Sequence, residues 1–147
     1  MIACIDTKLG DFKMSFAEAV AAQPAWVGIW LNILLLGGFV LPLALFIWRE
    51  TRRAALFSVL GNVVNMLGVQ WLFSKMGYVK LLGLPHILMW VPLVIYLVIL
   101  ARRETTRVWP RRICWAVVAV LSVSLAFDIV DVLRWIFGER AAFTLPA

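Results

Sequence analysis

The chain has 147 residues, 64% of them hydrophobic and 15% charged, and its mean hydropathy is +0.96. Soluble domains run about 45–50% apolar and about 25% charged, so a soluble globular domain is excluded, and so is a disordered chain. The formal charge of +6 sits in short loops between apolar runs, a pattern that fits lipid headgroups and membrane orientation and gives no reason to invoke nucleic acid.

Residues 1–24 lack a basic segment followed by an apolar core, so they are not read as a cleavable signal. Ser15 and Glu18 have the S-x-x-E spacing of a capping box. Leu9, Phe12, Phe16 and Val20 recur at helical spacing. The segment therefore reads as a short amphipathic interfacial helix that ends before Pro24.

Residues 25–137 hold four apolar runs. Ala25–Trp48, Ala54–Ser74 and Leu81–Ala101 carry no charge, and each exceeds the roughly 20 residues a helix needs to cross the bilayer core. The fourth, Ile113–Phe127, continues through Asp128 and Asp131 to Phe137. An open sheet cannot span lipid with unpaired edges. The fold class is thus all-α: a polytopic membrane protein with four transmembrane helices. Short connections predict an up-down bundle, and residues 138–147 form a C-terminal tail. No convincing internal repeat is visible in the sequence. Pro42 and Pro92 each free a carbonyl one turn earlier and predict kinks.

The loops after the first and third runs contain Arg49, Arg52, Arg53, Arg102, Arg103, Arg107, Arg111 and Arg112. The opposite side holds Lys8, Lys13, Lys75, Lys80, Arg134 and Arg140. The positive-inside rule places the arginine loops in the cytoplasm and both termini outside, as in a bacterial inner-membrane protein. Most tryptophans fall near run ends, where they anchor at the interface.

Polar residues within a span are costly and need a reason. At 1.5 Å per residue, Asp128 lies about 24 Å and Gln70 about 25 Å from the cytoplasmic edge. Asn32 and His86 lie near the outer starts of their spans, and Asn65 is slightly deeper. Trp30 and Trp90 fall at the same level. The transport or ligand candidates are therefore Asp128, Asp131, His86, Asn65, Gln70, Asn32 and Trp90. Asp128 and Asp131 share a stripe with Ser124 and Trp135, where two carboxylates would share a proton or bind a cation. Trp90 and Trp30 with Asp128 would also suit an organic cation. Ser58, Gly61, Asn65 and Gly68 form a small-and-polar stripe, with Asn62 beside it, and Ser58, Gly61 and Gly68 are candidates for helix packing.

Cys4 lies in the N-terminal segment and Cys114 opens the last apolar run, which predicts opposite sides of the bilayer and no thiol pair, and one histidine excludes bis-His haem ligation. No catalytic residue is assigned, because an enzyme would have only His86 and two aspartates to work with. Cofactor and metal remain unassigned. The leading expectation is a small channel or transporter subunit whose outer polar cluster handles protons or cations. The alternative is a non-catalytic subunit or assembly factor whose polar stripes are packing interfaces. In either case the expected partners are membrane lipid and further copies of the chain or another membrane subunit.

Overall fold

The computed structural model describes residues 16–141. Cys4, Leu9, Phe12 and Ser15 lie outside the described residues. A short helix α1 (Phe16–Ala21) is followed by four helices long and apolar enough to cross a membrane: Ala25–Ile47 (α2), Arg52–Met76 (α3), Lys80–Arg102 (α4) and Val108–Ile136 (α5). No strand occurs among the described residues. Helix α4 opens with a tight turn, Lys80–Gly83, before its regular part Leu84–Arg102. The fourth span runs through both aspartates as one helix.

The distribution of side chains is inverted relative to a soluble bundle. Large apolar residues such as Leu36, Phe57, Leu67, Ile95 and Phe127 face outward. Thr51, Ser58, Asn62, Asn65, Thr106 and Ser124 are buried. Lipid tails solvate the first set and cannot satisfy the second, so the polar groups turn inward to find partners. Towards the arginine loops the interior is apolar, with Leu45, Leu97, Leu100, Val117 and Leu121 packed around the small Ala54 and Ala55.

Helix α2 is not uniform. It is α-helical to Leu34, widens to a π-helix over Leu35–Val40, and returns to a narrower coil through Leu41–Ala44 and Leu45–Ile47. Pro42 follows the widened segment and accounts for part of it. Its ring lacks an N–H and would crowd the carbonyl of residue 38 in a regular helix. The predicted effect of this proline is therefore found as a local widening. Gly37 and Gly38 occupy the same segment and let it approach α5. A Cβ on Gly37 would lie 2.7 Å from Val120 Cγ2, so that contact admits no side chain without movement.

The small-and-polar stripe of α3 divides. The Ser58 hydroxyl donates to the Ala54 carbonyl of its own helix (2.8 Å). Gly68 packs on the start of α4, where an added Cβ would meet Pro85 at 3.1 Å. Gly61, in contrast, has nothing within 4 Å of where its Cβ would be, so it makes no close helix contact among the described residues. Gly68→Leu is therefore expected to destabilise the fold by about 1–3 kcal/mol through overpacking, while Gly61→Leu stays within about 0.5 kcal/mol. Unfolding of both variants in one detergent compares them, and equal losses would contradict this division.

The turns after α2 and α4 use the same device. Thr51 Oγ1 donates to the Leu45 carbonyl (2.8 Å), and Thr106 Oγ1 donates to the Leu100 carbonyl (2.7 Å). Each bond reaches back six residues to a carbonyl at the end of a helix; the Leu100 carbonyl also accepts from the Arg103 N–H (3.2 Å). The segments read Arg49-Glu50-Thr51-Arg52 and Arg103-Glu104-Thr105-Thr106-Arg107. The two turns also touch: the Arg107 N–H donates to Glu50 Oε1 (2.9 Å). That places a carboxylate at the positive end of α5, where it is favoured.

Candidate functional site

The site starts from the carbonyl that Pro42 leaves without a donor. Gly38 O accepts instead from Asn62 Nδ2 on α3, at 2.7 Å. The other end of the same amide is also used, since Trp90 Nε1–H on α4 donates to Asn62 Oδ1 at 2.9 Å. Asn62 and Trp90 are each only 1% exposed. One buried side chain thus links three spans. Asn62 flanked the candidates in sequence without being one. The signal that points to it is Pro42, whose missing N–H demands a donor from elsewhere.

Trp90 carries the chain of contacts onward. Its ring stacks on His86 one turn earlier, with centroids 4.4 Å apart and planes 19° from parallel. His86 Nδ1 faces Asp128 Oδ1 on α5 at 3.3 Å. The two side chains are mostly buried, at 24% and 17% exposure. Close packing fixes the carboxylate: a Cβ on Gly83 would fall 2.9 Å from Asp128 Cβ and Oδ1 and 3.0 Å from its Cα. Gly83 is needed for this approach, and its φ of −71° shows that steric room is the reason. Gly38, Asn62, Trp90, His86 and Asp128 therefore form one connected path across all four spans.

The other candidates divide. Asn65 is 4% exposed, one turn from Asn62, and its Oδ1 accepts no hydrogen bond among the described residues. The same is true of Asp128 Oδ2. Two buried acceptors in this part of the bundle are thus left without donors. Asp131 is half-buried, within electrostatic reach of Lys80, Arg134 and Asp128. Nearby, burial and then the Asp131 carboxylate raise the Tyr78 phenol above its ordinary value. Lys80 pairs with Glu139, bringing the turn after α3 to the segment after α5.

Asn32 and Gln70 do not join the path. Both are exposed on the outer surface, and Asn32 Nδ2 donates to the Gly28 carbonyl of its own helix (2.9 Å). Depth alone had grouped them with the others, whereas the rotation of each helix turns them outward. Trp30 lies apart as well. It packs edge-on against Phe127 (6.3 Å) and lines an apolar cleft of about 260 Å3 with Trp26, Ile29, Ile33 and Val123.

Chemically, the site offers one carboxylate, one imidazole and an indole face. No three His, Cys, Asp or Glu side chains converge as a metal-binding group among the described residues. Cys114 is a buried free thiol packed in the apolar core, away from the His86–Asp128 pair. Neither a family model, nor a curated protein, nor a solved structure matches this chain.

Proposed function

We propose that the protein is a subunit of a membrane transport or channel assembly, in which Asp128 and His86 take up a proton or small cation. The observation that carries this reading is the mostly buried Asp128–His86 pair, whose second carboxylate oxygen has no donor among the described residues. An ionisable residue within a span is expensive and is by default a functional candidate. The Asp128 end of the polar path lies near Asp131 and Lys80, and the path gives way to the apolar interior near Leu97, Leu100 and Leu121. A lone bundle packed in that way would not conduct, so transport would need further copies or a partner subunit.

An up-down arrangement is part of the proposal. The Glu50–Arg107 and Lys80–Glu139 contacts support it by pairing alternate connections. The arginine-rich turns would face the cytoplasm and the Asp128 end the outside. Helix α1 would lie at the interface on the outer side, in keeping with its position before Pro24.

The test is reconstitution into vesicles with flux assays for protons and for monovalent cations. Asp128→Asn is expected to reduce flux at least tenfold while the protein stays folded. A purely structural Asp128 predicts the opposite, since Asn keeps the shape and removes a buried charge, leaving stability unchanged or higher and flux intact. Robust flux in the variant would overturn the role of this residue. The assembly-factor reading has one observation in its favour, that both ends of the Asn62 amide are occupied by packing partners. Absence of flux in the parent protein would favour it.

A further inference from the structure

We infer that the two arginine-rich turns together bind the phosphate of an anionic phospholipid. The inference stands apart from the transport reading and from which leaflet the turns face. Residues 49–53 and 102–112 hold eight arginines, two glutamates and no lysine. The bond from the Arg107 N–H to Glu50 Oε1 joins the two segments, so their charges gather at one end of the bundle. Glu50 thereby turns to a backbone donor, and none of the eight guanidiniums forms an ion pair among the described residues. The opposite end differs. There Lys75, Lys80, Arg134 and Arg140 stand with Asp128, Asp131 and Glu139, and Lys80 pairs with Glu139.

Two of the eight guanidiniums are engaged within the fold. Arg52 Nε–H donates to the Phe46 carbonyl (3.1 Å), and Arg111 Nη2 donates to the carbonyls of Arg103 and Thr106 (3.0 Å each). Arg112 lies over the Trp109 ring, 5.5 Å from its centroid, a contact that occupies no hydrogen-bond donor. Arg49, Arg53, Arg102, Arg103 and Arg107 are exposed, and their side chains have no partner among the described residues. Unpaired like charges held together attract a counter-ion. A guanidinium presents its donors as a planar fork that matches the oxygens of a phosphate, whereas lysine acts as a point charge. The apolar flanks favour a phosphate that carries chains. Ile47, three residues before Glu50, and Val108 and Trp109, just after Arg107, are 69%, 59% and 66% exposed. Tryptophan at such a boundary sits at headgroup level. A lipid phosphate on the arginines would lay its glycerol and acyl chains over these side chains, and a free phosphate would leave them uncovered.

The experiment is native mass spectrometry of the full chain released from detergent. Dioleoyl phosphatidylglycerol and dioleoyl phosphatidylcholine are supplied in equal amounts; they share chains and phosphate, and only the second carries a neutralising cation. The parent is expected to retain phosphatidylglycerol roughly tenfold or more over phosphatidylcholine. The triple variant Arg53→Gln, Arg102→Gln and Arg107→Gln removes side chains that no contact in the fold uses, and should cut that preference roughly tenfold. Each single substitution should lower it roughly two- to threefold, so the result does not depend on the triple variant folding. Lys75→Gln with Arg140→Gln, at the other end, should preserve it. Glycerophosphoglycerol, the same headgroup without chains, and inorganic phosphate should fail to displace the lipid at equal concentration. Equal retention of the two lipids by the parent would overturn the inference without any variant. A preference that survives the arginine substitutions, or is lost with Lys75 and Arg140, would overturn it too. Displacement by either chainless anion would assign the site to a soluble phosphate instead, and would equally overturn it.

Discussion

Asn62→Leu is expected to cost about 2–4 kcal/mol of stability, although the side chain is close in size and more apolar. The substitution removes two hydrogen bonds and leaves both partners buried. Trp90 Nε1–H and the Gly38 carbonyl would then have neither water nor protein to bond. An orphaned buried group costs about 1–3 kcal/mol. Interhelical hydrogen bonds in membranes average only about 0.6 kcal/mol, because the separated helices also find partners. The Gly38 carbonyl is less able to do so, since Pro42 removes the donor in its own helix. Gln70→Leu is the control: it sits on the same helix but is exposed, and is expected to change stability by less than about 0.5 kcal/mol. Reversible unfolding in mixed micelles measures both. An Asn62→Leu protein as stable as the parent would show that the link across α2, α3 and α4 is incidental.

Gly83→Val should be the most damaging change at the mouth of the site. Its Cβ would fall within 3.0 Å of the Asp128 backbone as well as the side chain. A flexible side chain would move aside, but a helix backbone cannot do so cheaply. The turn Lys80–Gly83 and helix α5 would have to separate, at about 1–3 kcal/mol. The separation would also pull Asp128 from His86, so function should fall further than stability. Ring signals of His86 identical to the parent's, together with unchanged unfolding, would contradict this account.

The four spans were legible because lipid imposes a simple rule: some twenty residues without charge. The fourth could be followed past Asp128 and Asp131 because the apolar pattern resumed through Phe137. The site was legible by depth but not by azimuth. Counting 1.5 Å per residue placed Asn32, Gln70, His86 and Asp128 at one level, and only His86 and Asp128 turn toward each other. Rotation is set by packing partners, such as Gly68 on Pro85 and Gly37 on Val120, which no single span reveals. Asn62 was hidden differently. Its role depends on a proline in another helix, twenty residues earlier in the sequence. The repeated turn was hidden because its common element is a threonine bonding six residues back, with the intervening side chains free to differ.

The depth of Asp128 along α5 has an electrical consequence. The residue lies eight positions before Ile136 and twenty after Val108, or roughly 12 Å from one helix end and about 30 Å from the other. A charge entering from the Lys80–Glu139 side would therefore traverse only about a third of the transmembrane voltage drop. A full crossing is worth about 2.3 kcal/mol per 100 mV, so this partial descent is worth roughly 0.7. Occupancy of Asp128 and His86 would then change about threefold per 100 mV, with 1.36 kcal/mol as the tenfold unit. In the proposed orientation, with the arginine-rich turns in the cytoplasm, an inside-negative potential would draw a transported cation inward. The remaining, apolar two-thirds of the bundle would hold most of the voltage.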